Sequence, residues 1–104
     1  MRLQVLHVPD CPNARLLSSR LSRLLAGRPD IAVEDRVICD ERDAAGWGMT
    51  GSPTLLIDGV DPFAVPGLLP SISCRLYAGE TGPLTGTPSV AQLRRVLADL
   101  PARS

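Results

Sequence analysis

The change of hydrophobic period at Cys11 and Pro12 constrains the fold of this chain more than any other feature. Before it, residues 3–8 form a short apolar run typical of a strand, and Pro9 stops that run. After it, residues 12–26 carry apolar side chains at helical spacing, and proline is favoured in the first turn of a helix. The thiol therefore stands where a strand passes into a helix. The positive end of the helix dipole and the unpaired backbone N–H groups favour a thiolate there.

The remaining sequence continues the alternation of strands and helices. We predict loops over residues 46–53 and 79–86, where turn residues cluster. We predict strands over 31–39, 54–57 and 73–78, the last of them at an edge of the sheet. A short helix over 40–46 should be capped by Asp40. A last helix begins with a Ser89–Gln92 capping box, includes Leu100 in its apolar stripe and ends at Pro101.

This order of elements predicts one α/β domain over residues 1–104. The central mixed sheet should have about four strands flanked by helices, with the first two strands as parallel neighbours. Because open α/β sheets place their sites at the carboxyl ends of their strands, the first helix would begin at the functional edge of the sheet.

Charge and cysteine content narrow the class of protein. Eleven basic residues balance eleven acidic ones, so the basic excess typical of nucleic-acid binders is missing and no such partner is expected. No apolar run approaches the ~20 residues of a membrane span, and the N-terminus does not resemble a signal peptide. We therefore expect a cytoplasmic protein with no membrane partner.

Three distant cysteines are too few, and odd in number, for a disulfide scaffold, which indicates reduced thiols.

Two segments in the right order resemble the thioredoxin-like superfamily. Residues 10–14, Asp-Cys-Pro-Asn-Ala, are similar to the glutaredoxin form of the active-site motif, in which a Cys-Pro pair opens the first helix. Residues 47–59 are similar to the family's aromatic-Gly-aliphatic-x-Gly-x-Pro-Thr run into a hairpin strand. The last helix, from residue 88, also resembles the family's closing helix. The resemblance implies a thioredoxin-like fold and a cis bond before Pro53, in a loop that faces Cys11.

The chain departs from the family at Ala14, which stands where the redox motif has its second cysteine. A dithiol mechanism needs a resolving thiol to release the mixed disulfide. The chemistry is therefore monothiol, or another cysteine resolves, or redox catalysis has been lost. Cys74 is one candidate partner of Cys11. Cys39 is another, although its place at the end of an apolar run favours a core position.

The resemblance implies monothiol thiol–disulfide exchange or thiol capture at Cys11, without a cofactor. Its partner would be a thiol or disulfide of a protein or a small molecule. Pro12, Ser52 and Pro53 would bind the substrate, and the loop at Ser52 would hold a partner chain as an added strand. Trp47 either packs its own loop or forms part of the recognition surface.

Two other functions stay open from the sequence. A fainter resemblance connects residues 61–63 and 73–77 with small bacterial proteins that carry an alkylmercury lyase label. It implies a soft-metal or organomercurial site built from Cys11 and Cys74 with an acid such as Asp10, since thiolates select soft ions. No other metal site is predicted. The third possibility is a non-catalytic binding module that keeps the fold and the proline loop.

Several neighbouring residues admit two interpretations. His7 acts as a base or packs against a face of the sheet. Asp10, as an acid next to Cys11, raises the pKa of that thiol or caps the first helix. Arg75 stabilises the thiolate of Cys74 or is solvated. The proline-rich residues 60–72 form a lid, a homodimer contact or a cover over the core.

Overall fold

The computed structural model describes residues 2–79 and 81–98 of the chain. It confirms an α/β architecture, and no helix in the described part is long and apolar enough to cross a membrane. Leu100 and Pro101, predicted to close the last helix, lie outside the described residues. The elements in chain order are β1 (Arg2–His7), α1 (Pro12–Leu24), β2 (Ala32–Val37), α2 (Glu41–Trp47), β3 (Thr50–Ser52), β4 (Thr54–Ile57), β5 (Ser71–Cys74), β6 (Tyr77–Ala78), β7 (Leu84–Thr85) and α3 (Val90–Ala98).

The central sheet is mixed and has the strand order β2-β1-β4. As predicted, β1 and β2 are parallel neighbours, and β4 runs antiparallel to β1 on the other side. The sheet has three strands where the sequence predicts about four. The described residues form two further pairs beside it, a parallel pair of β3 with β5 and an antiparallel pair of β6 with β7.

The short strands are the elements that the sequence prediction missed. β3 falls within the predicted loop 46–53, and β7 falls within the predicted loop 79–86. Strands this short contain too few residues to show a period of two. The edge strand predicted over 73–78 is instead divided into β5 and β6. The division lies at Arg75 and Leu76, where the arginine side chain enters the interior.

Alternate residues of β1 contribute to two apolar clusters, as the period of a strand requires. Leu3 and Val5 pack in a cluster with buried side chains of α1 and with Leu93 of α3. Leu6 packs in a second cluster that includes Ala44 of α2. Helices therefore cover both faces of β1, and this packing fixes the position of its carboxyl end, from which the chain continues to Cys11.

Both capping predictions are confirmed. The side chain of Asp40 accepts a hydrogen bond of 2.8 Å from the N–H of Asp43 at the start of α2. Ser89 and Gln92 form a reciprocal box at the start of α3, with bonds of 2.9 and 3.0 Å. These bonds use backbone groups that the first turn of a helix leaves unpaired.

Candidate functional site

Cys11 is the N-cap residue of α1, and Pro12 follows it in the first turn. Its backbone is extended, and no side chain of the described residues caps this helix. Asp10, predicted as a cap, does not cap α1. It adopts a left-handed conformation with φ of 60°, which aspartate tolerates better than most residues. The first turn of α1 therefore directs backbone N–H groups without a capping side chain toward the position of the thiol.

The half-buried Cys11 lies in an open cleft of about 310 Å³. Ala14, at the position of the family's second cysteine, is buried and lines the same cleft. Among the described residues, Cys11 contributes the one thiol of this lining. The lining as a whole consists of His7, Asp10, Cys11, Ala14, Arg15, Ser18 and Asp35.

His7 is held between two hydrogen-bond acceptors. Its Nε2 lies 2.7 Å from Oδ2 of Asp35, and its Nδ1 lies 2.8 Å from the carbonyl oxygen of Val8. Only the doubly protonated ring can donate to both acceptors. Burial lowers the pKa of His7, but the hydrogen bonds to Asp35 and Val8 and the charge of Asp35 outweigh it and raise this pKa overall. Both ring nitrogens of His7 are therefore engaged by acceptors, an arrangement that favours the protonated ring and leaves neither nitrogen free to act as a base.

Replacing Asp35 with asparagine should lower the pKa of His7, because burial then opposes the charge with less compensation. His7 is the chain's only histidine, so a proton NMR titration reports it without ambiguity. Since folding raises this pKa, the protonated ring stabilises the native state below about pH 6.5, and that contribution is lost as pH rises through the folded-state value.

The matched control is Asp58→Asn, because Asp58 follows β4 and hydrogen-bonds the backbone of Arg2, at the other end of β1. That variant should leave the titration of His7 unchanged. An Asp35→Asn variant with an unaltered His7 titration would contradict the proposed charge state of the ring.

The Ser52–Pro53 peptide bond is cis, as predicted. The hydroxyl of the buried Ser52 accepts a hydrogen bond of 3.1 Å from the N–H of Val8. The carbonyl of Pro53 accepts one from the hydroxyl of Tyr77. The first bond attaches the proline loop to Val8, which follows β1 three residues before Cys11, and the second attaches the loop to β6.

The edge of the proline loop is occupied by the chain itself. β5 pairs in parallel with β3 and places Cys74 opposite Ser52. The N–H of Arg75 donates to the carbonyl of Ser52 at 3.1 Å, and the N–H of Ser71 donates to that of Met49 at 3.0 Å. The edge predicted to accept a partner chain as an added strand is therefore already paired with β5.

All three cysteines are free, but the structure gives them different surroundings. The predicted core position of Cys39 is wrong: β2 ends at Val37, Ile38 after it is buried, and Cys39 is exposed. The N–H of Ile38 donates to the carbonyl of His7 at 2.7 Å, so Cys39 also lies near the end of β1. Cys74 is exposed beside Ser52 and does not line the Cys11 cleft.

A buried ion pair that the sequence did not indicate supports the proline loop. Arg75 is buried instead of solvated, and its Nη1 lies 2.6 Å from Oδ2 of Asp61. The second terminal nitrogen of its guanidinium, Nη2, donates to the carbonyl of Phe63 at 2.7 Å. The guanidinium lies 4.6 Å from the ring centre of Tyr77, as in a cation–π contact. These contacts join residues distant in sequence, and the only local signal was an arginine between β-favouring residues.

Tyr77 lies between this ion pair and the proline loop, because its ring contacts Arg75 and its hydroxyl bonds Pro53. Burial raises the pKa of its hydroxyl, Arg75 opposes the shift, and the charges of Asp61 and Cys11 add to it. The hydroxyl is therefore a proton donor across the neutral range, and it is directed at the carbonyl of Pro53.

Trp47 and residues 60–72 contribute to packing outside the cleft. Trp47 packs against the cluster that contains Leu6, and the guanidinium of Arg36 lies 4.1 Å from its ring centre. Phe63 packs edge-on against Tyr77 with ring centres 5.6 Å apart. In the rest of this segment Val65, Leu68 and Leu69 are exposed.

Comparison of the chain with protein-family models, with curated proteins and with solved structures finds no match. Across residues 2–79 and 81–98, no group of three or more histidine, cysteine or acidic side chains is arranged to hold a metal ion.

Proposed function

We propose that this protein performs monothiol thiol–disulfide exchange, or captures thiols, through Cys11 in a thioredoxin-like domain. The observation that carries the proposal is the position of Cys11 at the uncapped start of α1, half-buried in an open cleft. Helix N-termini and nearby cations favour thiolates, and thiolates are the nucleophiles of disulfide exchange. The first turn of α1 supplies such a helix N-terminus, and the cleft leaves the thiol accessible to a small disulfide.

The exchange step begins with attack of the Cys11 thiolate on one sulfur of a disulfide. The sulfur–sulfur bond of the substrate breaks, a mixed disulfide forms on Cys11, and the second half leaves as a thiolate that takes a proton from water. Because Ala14 cannot resolve this intermediate, a small thiol from solution attacks the mixed disulfide and restores the Cys11 thiolate. The exposed Cys74 is the candidate for intramolecular release.

The proposal is tested by locating the mixed disulfide. The reduced protein is mixed with a limiting amount of a small disulfide, quenched with acid and mapped by peptide mass spectrometry. The adduct should form on Cys11 before it forms on the more exposed Cys39 and Cys74. An adduct distributed by exposure alone, with Cys11 the slowest of the three thiols, would refute the proposal.

One observation favours the soft-metal alternative. Asp10 lines the cleft beside Cys11, so an acid and a thiol are close together there. Cys74, the second thiol of that hypothesis, lies outside the cleft lining. Binding of mercuric ion that requires both Cys11 and Cys74, without any disulfide exchange, would favour this function. An unreactive Cys11 in both assays would favour the non-catalytic binding module.

A further inference from the structure

We infer that the substrate of Cys11 is a small disulfide bearing both an ammonium group and a carboxylate, and not an extended polypeptide. This inference rests on the proposed function, and it specifies the substrate class of the same site. Two independent features carry it. One is the proline-loop edge that β5 occupies, and the other is the pair of exposed, oppositely charged side chains of Asp10 and Arg15 that line the cleft.

The first feature removes the usual way to bind a peptide beside a strand. An added strand binds through free N–H and carbonyl groups on a sheet edge. At β3 the carbonyl groups of Met49 and Ser52 already accept bonds from the backbone of β5 and its following residue. A polypeptide substrate would have to displace β5 before it could pair with this edge.

Displacement of β5 would also break the contacts of Arg75. Its side chain is 3% exposed and bonds Asp61 and the carbonyl of Phe63, and it donates to Thr54 as well. At Gly51 the two backbones approach so closely that a Cβ atom would lie 2.7 Å from Cβ of Arg75. A buried charge that loses its partner is strongly destabilising. The structure therefore holds β5 firmly in the place that a peptide would need.

The cleft itself has the dimensions of a small-molecule site. Its volume of about 310 Å³ lies near the lower end of the range for such sites, which is about 300–1,000 Å³. It is open to solvent and no residue of β5 lines it, so a small disulfide can reach the thiol without any movement of β5.

The charges in the cleft indicate the chemistry of that molecule. His7 and Asp35 form an ion pair and largely compensate each other. Asp10 and Arg15 also line the cleft, and neither makes an ion pair or side-chain hydrogen bond with any residue that the structure describes. Asp10 is next to Cys11 in the chain, and Arg15 lies one turn into α1. A ligand with an ammonium group for Asp10 and a carboxylate for Arg15 would satisfy both charges.

The test compares three small disulfides with a short extended peptide dimer that has a single central disulfide. The small disulfides are cystine, which carries both groups, cystamine, which carries ammonium groups only, and dithiodiglycolate, which carries carboxylates only. The rate constant for reaction of each disulfide with Cys11 is divided by the rate constant for its reaction with free N-acetylcysteine. This ratio cancels the intrinsic reactivity of the disulfide. The peptide dimer should react at least about tenfold more slowly than cystine after this correction.

Single charge variants identify the contacts. Arg15→Gln should slow cystine and dithiodiglycolate about two- to fivefold, the size expected for an exposed ion pair, and should not slow cystamine. Asp10→Asn should slow cystine and cystamine to a similar extent, and asparagine tolerates the left-handed backbone at this position. Arg23→Gln is the matched control, because Arg23 is exposed in the last turn of α1 and does not line the cleft.

A peptide dimer that reacts as fast as cystine would overturn the inference and leave the proposed function intact. The same conclusion would follow if neither charge variant altered the preference among the small disulfides. If no disulfide reacted at Cys11, the proposed function itself would fail.

Discussion

Replacement of Cys11 with serine should reduce disulfide exchange at least about tenfold, to the rate of the two other thiols. A serine hydroxyl is not ionised at neutral pH and cannot displace a thiolate from a disulfide. The remaining thiols, Cys39 and Cys74, are exposed but lie outside the cleft lining. They therefore lack the positioning that the cleft gives to a reacting disulfide. The measurement is the initial rate of reduction of cystine at pH 7 with a small thiol as the final reductant.

The matched controls for this result are Cys39→Ser and Cys74→Ser. Cys39→Ser should leave the rate unchanged. Cys74→Ser should slow only the release step, so that the mixed disulfide on Cys11 accumulates if Cys74 acts as the resolving thiol. Full activity of Cys11→Ser, together with its loss in Cys74→Ser, would move the reactive centre to β5 and contradict the proposed mechanism.

Replacement of Asp61 with asparagine should lower the free energy of unfolding by about 3 kcal/mol, because it leaves the Arg75 charge buried without an anion. The two side chains are 3% and 12% exposed, so water cannot take the place of the carboxylate. Asparagine retains an oxygen that can accept the bond from the N–H of Phe63. The expected loss is therefore at the lower end of the range for a broken buried ion pair, and urea unfolding measures it.

The control for this effect is Glu34→Gln at the surface. Glu34 pairs with Arg2 and Arg36, and these contacts lower its pKa to about 2. Its pairs are exposed to solvent and to salt, so its replacement should destabilise the protein far less than Asp61→Asn. Equal losses in the two variants would show that the Arg75 ion pair has no special structural role.

The sequence predicted the parts of this fold that depend on near neighbours in the chain. The strand before Pro9, the helix after Cys11, the caps at Asp40 and Ser89 and the parallel first strands all agree with the structure. Each follows from hydrophobic period, from cap chemistry within three residues or from the fixed hand of a crossover connection.

The surroundings of the thiols followed less closely from the sequence. The apolar run before Cys39 favoured a core position, yet β2 ends two residues before Cys39, and Cys39 is exposed. The pairing of His7 with Asp35 depends on the register of β1 with β2, which joins residues 28 positions apart. No periodicity within one segment could show that both ring nitrogens are engaged.

By itself, the sequence determined an α/β chain with a cysteine at the start of a helix, because strand period, helix period and the proline position are local properties. The surroundings of that cysteine depend on how distant segments pack together. Tertiary packing paired β5 with the proline loop, buried Arg75 against Asp61, and left Asp10 and Arg15 beside the thiol. These outcomes depend on burial and on contacts between distant segments, and their energies exist only when the whole chain is packed.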